Sequence, residues 1–361
     1  MTAYDAQALR DFGTSFLRGL GADADIAEEV SRHLVGANLA GHDSHGIVRL
    51  GQYEEQARAG QLDPAARPTV LARSPGSVLV DARRGFGQFS TMFATEQAIE
   101  TARSIGVAVA VIRHSMHIGR LGEYADRISA AGQLGIVTVG MAGPGVGCMT
   151  VPDTGDRFFA ANPWTFGVPG ADRDVLVDVS TSTVAEGKVR VSRDGGAALP
   201  LGAVLDAEGR PTTDAEAFYA GGSIVPLGGE IAAHKGIGLA MAAAAFGAMG
   251  MIGDDDPTMA GGSSVADGAE DERAAGVMVI AIDPSVFGPV DEYRAMIGRV
   301  TDAYRATPTR SGATPLVPGD PERIARAARE AGGVDLPEAT VTRLAGLART
   351  YGSEAFPEPL A

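Results

Sequence analysis

Two runs near the start, residues 5–20 and 22–39, carry Ala, Leu, Val and Ile at helical spacing, with Gly19 and Gly21 at their junction. That periodicity predicts two amphipathic helices. Residues 70–81 read as a pair of strands around a Ser-Pro-Gly turn, and 88–104 as a further amphipathic helix. Two apolar runs of strand length follow, GVAVAVI at 106–112 and GIVTVGM at 135–141, separated by a helix at 121–131. Short strands are expected at 166–168 and 175–179, a long helix after Glu230, and another strand over 276–283. Beyond Pro284 the helical period returns at 291–304, 321–331 and 338–351. Strands alternating with helices in the middle indicate an α/β domain. Helical ends flanking it predict a discontinuous helical domain, 1–70 with 285–361, around an α/β domain at 71–284. The acidic, small-residue-rich stretch 254–273 reads as a solvated loop.

Composition narrows the function classes. The chain has 361 residues, 45% hydrophobic and 21% charged, enough to bury a substantial core. A net charge of −15 argues against bulk binding to nucleic-acid phosphates and against an anionic membrane surface. One cysteine, Cys148, rules out a disulfide framework or a multi-cysteine metal centre and fits a reducing compartment. The first residues lack the basic start and apolar run of a secretory signal, so a cytoplasmic protein is expected. The stretch 236–252, GIGLAMAAAAFGAMGMI, falls short of the roughly 20 residues a membrane span needs, and is expected to form a buried helix instead.

Five of the six histidines lie in three apolar or glycine-bracketed settings. In GHDSHGIVR (41–49), Asp43 or Ser44 could cap a helix, placing His45 in its first turn and Arg49 four residues on, on the same face. A titratable imidazole beside a guanidinium suits a carboxylate-bearing carbonyl substrate: Arg grips the carboxylate and His moves the proton. In RHSMHIGRLG (113–122), His117 follows a strand end, where α/β sites gather, and Gly119 permits close approach by a flat ligand. His234 and Lys235 open the long apolar helix, where a cation is poorly placed unless an anion meets it.

Rival chemistries have thinner support. The pairs His42/His45 and His114/His117 are each three residues apart, a spacing two metal ligands can use, but there is no HExxH. Ser44 beside His45 suggests nucleophilic catalysis, yet neighbours in a helix diverge, and no GxSxG elbow occurs. Gly85-Phe-Gly87-Gln-Phe-Ser90 resembles a dinucleotide fingerprint, but the next strand ends in Arg113 rather than an acidic residue. Gly143-Pro-Gly145-Val-Gly147 is followed by a loop, not a helix.

Seven blocks in order carry a family resemblance: NLAGHDSHGI, HSMHIGRLGEYA, ANPWTFGVP, LVDVSTSTVAEGKV, GRPTTDAEAF, VPLGGEIAAHKGIGLA and VPGDPE. Together they resemble the type-2 malate/L-lactate dehydrogenases, NAD(P)-dependent 2-oxoacid reductases, and within them the hydroxycarboxylate dehydrogenase B branch. The resemblance implies a non-Rossmann cofactor-binding α/β domain, with a mostly β sheet and flanking helices, beside the discontinuous helical domain. It implies a homodimer acting on a small 2-oxoacid or 2-hydroxyacid with NAD, or alternatively NADP. Carried over position by position, His45 is the general acid supported by Ser44, and His117 is a second candidate for that role. Gly119, Arg120 and Leu121 would line the cofactor, Asp178, Val179, Ser180, Thr181 and Ser182 would form a loop against it, His234 and Lys235 would reach its phosphates or ribose, and Gly319, Asp320 and Pro321 would close over it. Arg49 would anchor the substrate carboxylate. A cyclic-imine reductase or a ureidoglycolate-type dehydrogenase on the same scaffold is the alternative, with a metal-dependent hydrolase a lesser one. The sequence departs from the family at Ala160-Ala161, before the retained Asn162-Pro163, and at Gly319-Asp320 where Gly-Glu is usual.

Overall fold

The computed structural model describes residues 2–151, 153–195, 198–253 and 275–360. The loop expected at 254–273 lies outside them. The chain opens with a short strand β1 (Thr2–Tyr4) and helices α1 (Ala6–Gly19) and α2 (Ala24–Leu39). Asp5 caps α1, its carboxylate accepting from the Ala8 amide at 2.8 Å, which satisfies one of the helix's orphan donors. The apolar stripes of the two helices, Leu9, Phe12, Phe16 and Leu17 against Ile26, Val30 and Leu34, form one core. Helix α3 (Leu50–Arg58) adds Leu50 and Tyr53 to it.

Next come β2 (Thr69–Ser74), β3 (Ser77–Asp81), α4 (Gly87–Ile105), β4 (Val107–Ser115), α5 (Gly122–Ala130) and β5 (Leu134–Gly140). The middle of the chain continues as β6 (Met149–Thr150), β7 (Arg157–Phe159), β8 (Trp164–Val168), β9 (Val175–Val179), α6 (Glu186–Gly195), β10 (Val204–Leu205), β11 (Pro211–Thr212), α7 (Ala215–Tyr219) and β12 (Ser223–Ile224). It ends with α8 (Gly229–Ala248), β13 (Ala275–Ile282), α9 (Val290–Arg305), α10 (Asp320–Gly332), β14 (Val334–Leu336) and α11 (Glu338–Tyr351). β14 pairs antiparallel with β1, and Val334, Leu336, Leu344 and Ala348 enter the core of α1 and α2.

The main sheet has seven strands in the order β2-β3-β4-β13-β5-β8-β9. Only β3 and β4 run parallel; every other neighbouring pair is antiparallel. With a single parallel pair, this mixed α/β sheet differs from the parallel sheet of a dinucleotide-binding Rossmann unit. Alternation along β13 sends Val277, Val279 and Ala281 to one face, under α4 and α5, and Met278 and Ile280 to the other, against α8. A second sheet of five short strands, β11-β10-β12-β6-β7, packs a small core with Val189 of α6 and Phe218 of α7.

One expectation is corrected here. The apolar helix α8 is not buried all round: Gly236, Ala240, Ala243 and Gly247 face the sheet, while Ile231, Leu239, Met241 and Phe246 are exposed. With the turn that follows, it is long and apolar enough by composition to cross a membrane. Here it lies along β5 and β13, its small residues allowing close contact with the sheet.

Candidate active site

The segment after α2 departs from the helix expected at its start. Residues Asp43–His45 and Ile47–Arg49 form two separate 3-10 turns divided at Gly46, and α3 begins only at Leu50. Asn38 causes the break: its side-chain oxygen takes the Ile47 amide at 2.8 Å, and its nitrogen donates to Asp43 at 2.7 Å. Asp43 caps nothing. Its carboxylate is held by both terminal nitrogens of Arg329, at 2.6 and 2.9 Å. The tight turn lets Ser44 Oγ meet His45 Nδ1 at 3.0 Å, although neighbours in an α-helix would diverge. Arg49 folds back, its Nε donating to the Ser44 carbonyl at 2.6 Å and a terminal nitrogen to Gln52 at 2.5 Å.

His117 arrives from β4, two residues past the strand's end. Its ring stacks on that of His45, centroids 5.5 Å apart and planes 25° from parallel. The two histidines, 72 positions apart by number, thus form one pair beside Arg49. Gly87 makes room for this: a Cβ there would lie 2.2 Å from the Met116 carbonyl and 2.5 Å from that of His117. The glycine run at 85–90 therefore serves a close backbone crossing. Next to it, Gln88 donates to the hydroxyl of Tyr53, and that hydroxyl lies 2.8 Å from His117 Nδ1. Burial, then the nearby Arg49, His45 and His33, hold His117 well below the ordinary imidazole pKa.

The remaining histidines do other things. His114, at positive φ, bonds Asp81 at 3.1 Å beside Arg113, and His42 bonds Glu322 at 3.3 Å. Both three-residue pairs are thereby split, and among the described residues no three His, Cys, Asp or Glu gather around a metal position. His33 was not singled out from the sequence. It is fully buried on α2, and its Nε2 would touch a Cβ at Gly119, where φ is 72°. Gln88 and Tyr53 were missed as well. Each belongs to a helical pattern whose polar or aromatic members look like ordinary face residues; only the adjacent Gly87 hinted at a crowded crossing.

Beyond Gly119, Arg120 enters a buried polar cluster. Its guanidinium lies 3.5 Å from Asp178 and 3.6 Å from Glu123, and the Gly122 amide donates to Asp178 at 2.9 Å. Burial outweighs Arg120 and raises the Asp178 carboxyl above its usual range. Arg120 Nε and Nη2 and Glu322 Oε2 are buried without a hydrogen-bond partner among the described residues. Unmet donors and an acceptor of this kind fit the ribose hydroxyls and phosphates of a dinucleotide. Leu121 caps α5 directly behind them.

The other positions expected to line a cofactor fall into two groups. Ser180, Thr181 and Ser182 turn their hydroxyls inward: Thr181 donates to the Ala161 carbonyl at 2.9 Å, Ser182 to that of Val184 at 2.7 Å, and Ser180 meets Ser182. Val179 is exposed. The Leu227 amide donates to the Thr181 carbonyl at 2.7 Å, which ties this loop to the start of α8, where His234 and Lys235 are exposed. Gly319 caps α10 with φ 95°, Pro321 follows in its first turn, and the Pro318 carbonyl accepts from the Leu176 amide of β9 at 3.1 Å. Asp320 is consumed by the fold: Arg323 at 2.7 Å, Arg305 at 3.1 Å and the Val317 amide at 2.9 Å hold its carboxylate. A cleft of about 920 Å³ along α1, lined by Arg10, Asp11, Arg32 and Glu354 among others, involves none of these groups.

Comparison with known proteins shows a family and a shared fold. The family model described as malate/L-lactate dehydrogenase matches residues 4–345. Hydroxycarboxylate dehydrogenase B of Escherichia coli is 31% identical over 353 residues, 97% of this chain and 94% of that protein. A Δ1-pyrroline-2-carboxylate/Δ1-piperideine-2-carboxylate reductase of Pseudomonas putida is 33% identical over 222 residues, 61% of this chain and 63% of its own. The structure of sulfolactate dehydrogenase from Methanocaldococcus jannaschii superposes with a TM-score of 0.85 at 25% identity, covering 98% of each chain.

Proposed function

Because the chain belongs to the malate/L-lactate dehydrogenase family, we propose that it transfers hydride between a nicotinamide cofactor and a small 2-oxoacid or 2-hydroxyacid. The observation that carries this reading is the stacked pair His45 and His117 beside a buried Arg49. When bound, the nicotinamide supplies or accepts the hydride. Everything else is positioning and proton management. Arg49, pinned by Ser44 and Gln52, grips the substrate carboxylate and fixes the carbonyl's orientation. One imidazole of the pair gives a proton to the oxygen as negative charge develops there, help worth about 10² to 10⁴ in rate.

Gly119, Arg120, Leu121 and the 178–182 loop would hold the cofactor, with His234 and Lys235 at one side and the Gly319–Pro321 turn at the other. NAD is the first choice and NADP the second. We place the protein in the cytoplasm as a homodimer, without nucleic-acid or membrane partners. The exposed apolar side chains of α8, and of α9, which buries no residue, are suited to a second copy.

A second reading is favoured by the Pseudomonas putida relative: reduction of a cyclic imine carboxylate, in which the same proton donor serves nitrogen instead of oxygen. One experiment separates them. Oxidation of NADH and NADPH is followed with pyruvate, oxaloacetate, sulfopyruvate, ureidoglycolate in reverse, and Δ1-piperideine-2-carboxylate. Turnover of an oxoacid at least about tenfold faster than of the imine supports the first reading, and the inverse ratio the second. No turnover of any of them would remove both.

A further inference from the structure

We propose that Tyr53, backed by Gln88, holds His117 as its Nε2–H tautomer, so that His117 meets substrate as a hydrogen-bond donor and proton transfer falls to His45. The part about substrate rests on the hydride-transfer reading above; the tautomer stands without it.

The direction of the chain follows from what each group can give. The amide nitrogen of Gln88 carries only hydrogens, and it donates to the Tyr53 hydroxyl. A phenol whose oxygen accepts there has its own hydrogen available for the next acceptor, and His117 Nδ1 is 2.8 Å away. Nδ1 must then present a lone pair. The buried surroundings and the facing Arg49, His45 and His33 keep the ring neutral, and a neutral imidazole with a lone pair on Nδ1 carries its hydrogen on Nε2. Nε2 bonds no protein group among the described residues, and His117 retains some exposed surface. Tyr53 is 1% exposed and Gln88 fully buried. Burying polar side chains there is costly unless their hydrogen bonds are made; the Gln88 amide nitrogen and the Tyr53 hydroxyl make theirs, while Gln88 Oε1 has no partner among the described residues. The Tyr53 ring is fixed from the other side by Phe86, edge-on at 5.6 Å.

The chemistry divides accordingly. In the reducing direction hydride adds to the carbonyl carbon, the C=O π pair moves onto oxygen, and the N–H bond of a protonated His45 breaks as the O–H bond forms. His117 Nε2–H stabilises the same oxygen without releasing its hydrogen. In the oxidising direction His45 takes the hydroxyl proton as hydride leaves carbon. His117 cannot take it, since its lone pair is engaged by Tyr53. Tyr53 and Gln88 are positioning residues; neither need touch substrate.

The test is 15N NMR of the histidine side chains in the ligand-free protein, with His117 assigned by its loss in His117→Asn, followed by Tyr53→Phe. The substitution keeps the aromatic packing on Phe86 and removes only the hydroxyl. The expected wild-type spectrum has hydrogen on Nε2 of His117. In Tyr53→Phe the single tautomer is lost and kcat falls about tenfold or more, with KM within about twofold. Hydrogen on Nδ1 in the wild type, or a Tyr53→Phe protein with unchanged spectrum or unchanged kcat, would overturn the proposal. Failure of every oxoacid to turn over, with the Nε2–H spectrum intact, would instead defeat the function proposed above and leave the tautomer standing.

Discussion

His33 sits between the Tyr124 ring, 5.3 Å away, and the backbone of Gly119, and neither of its nitrogens makes a well-formed hydrogen bond. Burial lowers its pKa to about 4, with Arg32 and Arg120 acting in the same direction and Glu123 against it. An unfolded chain therefore takes up a proton on this histidine near its ordinary pKa of about 6.5, whereas the folded chain does so only near the lower value. The stabilising difference is present in full above the unfolded value and is lost as pH falls toward the folded one. The group is wholly buried, so it amounts to something on the order of 3 kcal/mol. Denaturant unfolding between about pH 7 and about pH 4.5 should show that loss, and His33→Leu should flatten the slope. An equal slope in the variant would refute it. His33 was illegible in sequence because it lies in the same periodic run as Val30 and Leu34, where a lone histidine reads as part of a helix face. His45, His117 and Arg49, which the structure brings together, stand out in the sequence because glycines bracket them and leave no helical stripe to absorb them.

At the scale of elements, the helices α1, α2, α4 and α11 were readable within a residue or two, because their apolar spacing is regular and their packing local. The partnering of β4 with β13 and of β13 with β5 was not, since antiparallel pairing between distant strands leaves no mark in either one. Nor did composition reveal that α8 has two different faces, small residues toward the sheet and bulky ones outward. The two 3-10 turns before α3 were also hidden, because Asn38, five or more residues upstream, supplies the competing hydrogen bonds. The first turn of α4 is sensitive to change. A methyl group at Gly87 would press on the Met116 and His117 carbonyls, backbone that cannot swing aside. Gly87→Ala should cost about 1–3 kcal/mol of stability by overpacking and shift His117 relative to His45. Denaturation and steady-state kinetics check both parts. A variant as stable and as active as the wild type would mean that the crossing is looser than the structure has it.

For the whole molecule, the net charge of −15 and the anionic ligands of the proposed reaction are reconciled by placement. Arg49 and Arg120 are both buried, one beside the histidine pair and one beside Asp178, so the local field differs from the global one. Arg120, in the loop after β4, lies 3.5 Å from Asp178 of β9, and the Leu176 amide of β9 donates to the Pro318 carbonyl before α10 at 3.1 Å, so these three segments meet. Its outer surfaces carry unusual apolar exposure, with Ile231 at 95% and Phe287 at 80%. If a second copy covers them, sedimentation at micromolar concentration should give a dimer, and a charge at Met241 or Val300 should shift it toward monomer. A wild-type monomer would count against the homodimer.

The division of labour between the two histidines is tested most directly by single-turnover oxidation of the bound reduced nicotinamide, using the best substrate of the panel, in wild type and in His45→Ala. Loss of the proton donor should slow the chemical step by about 10² to 10⁴ while leaving cofactor binding within about twofold. A His45→Ala protein that turns over at the wild-type rate would contradict the assignment of proton transfer to His45.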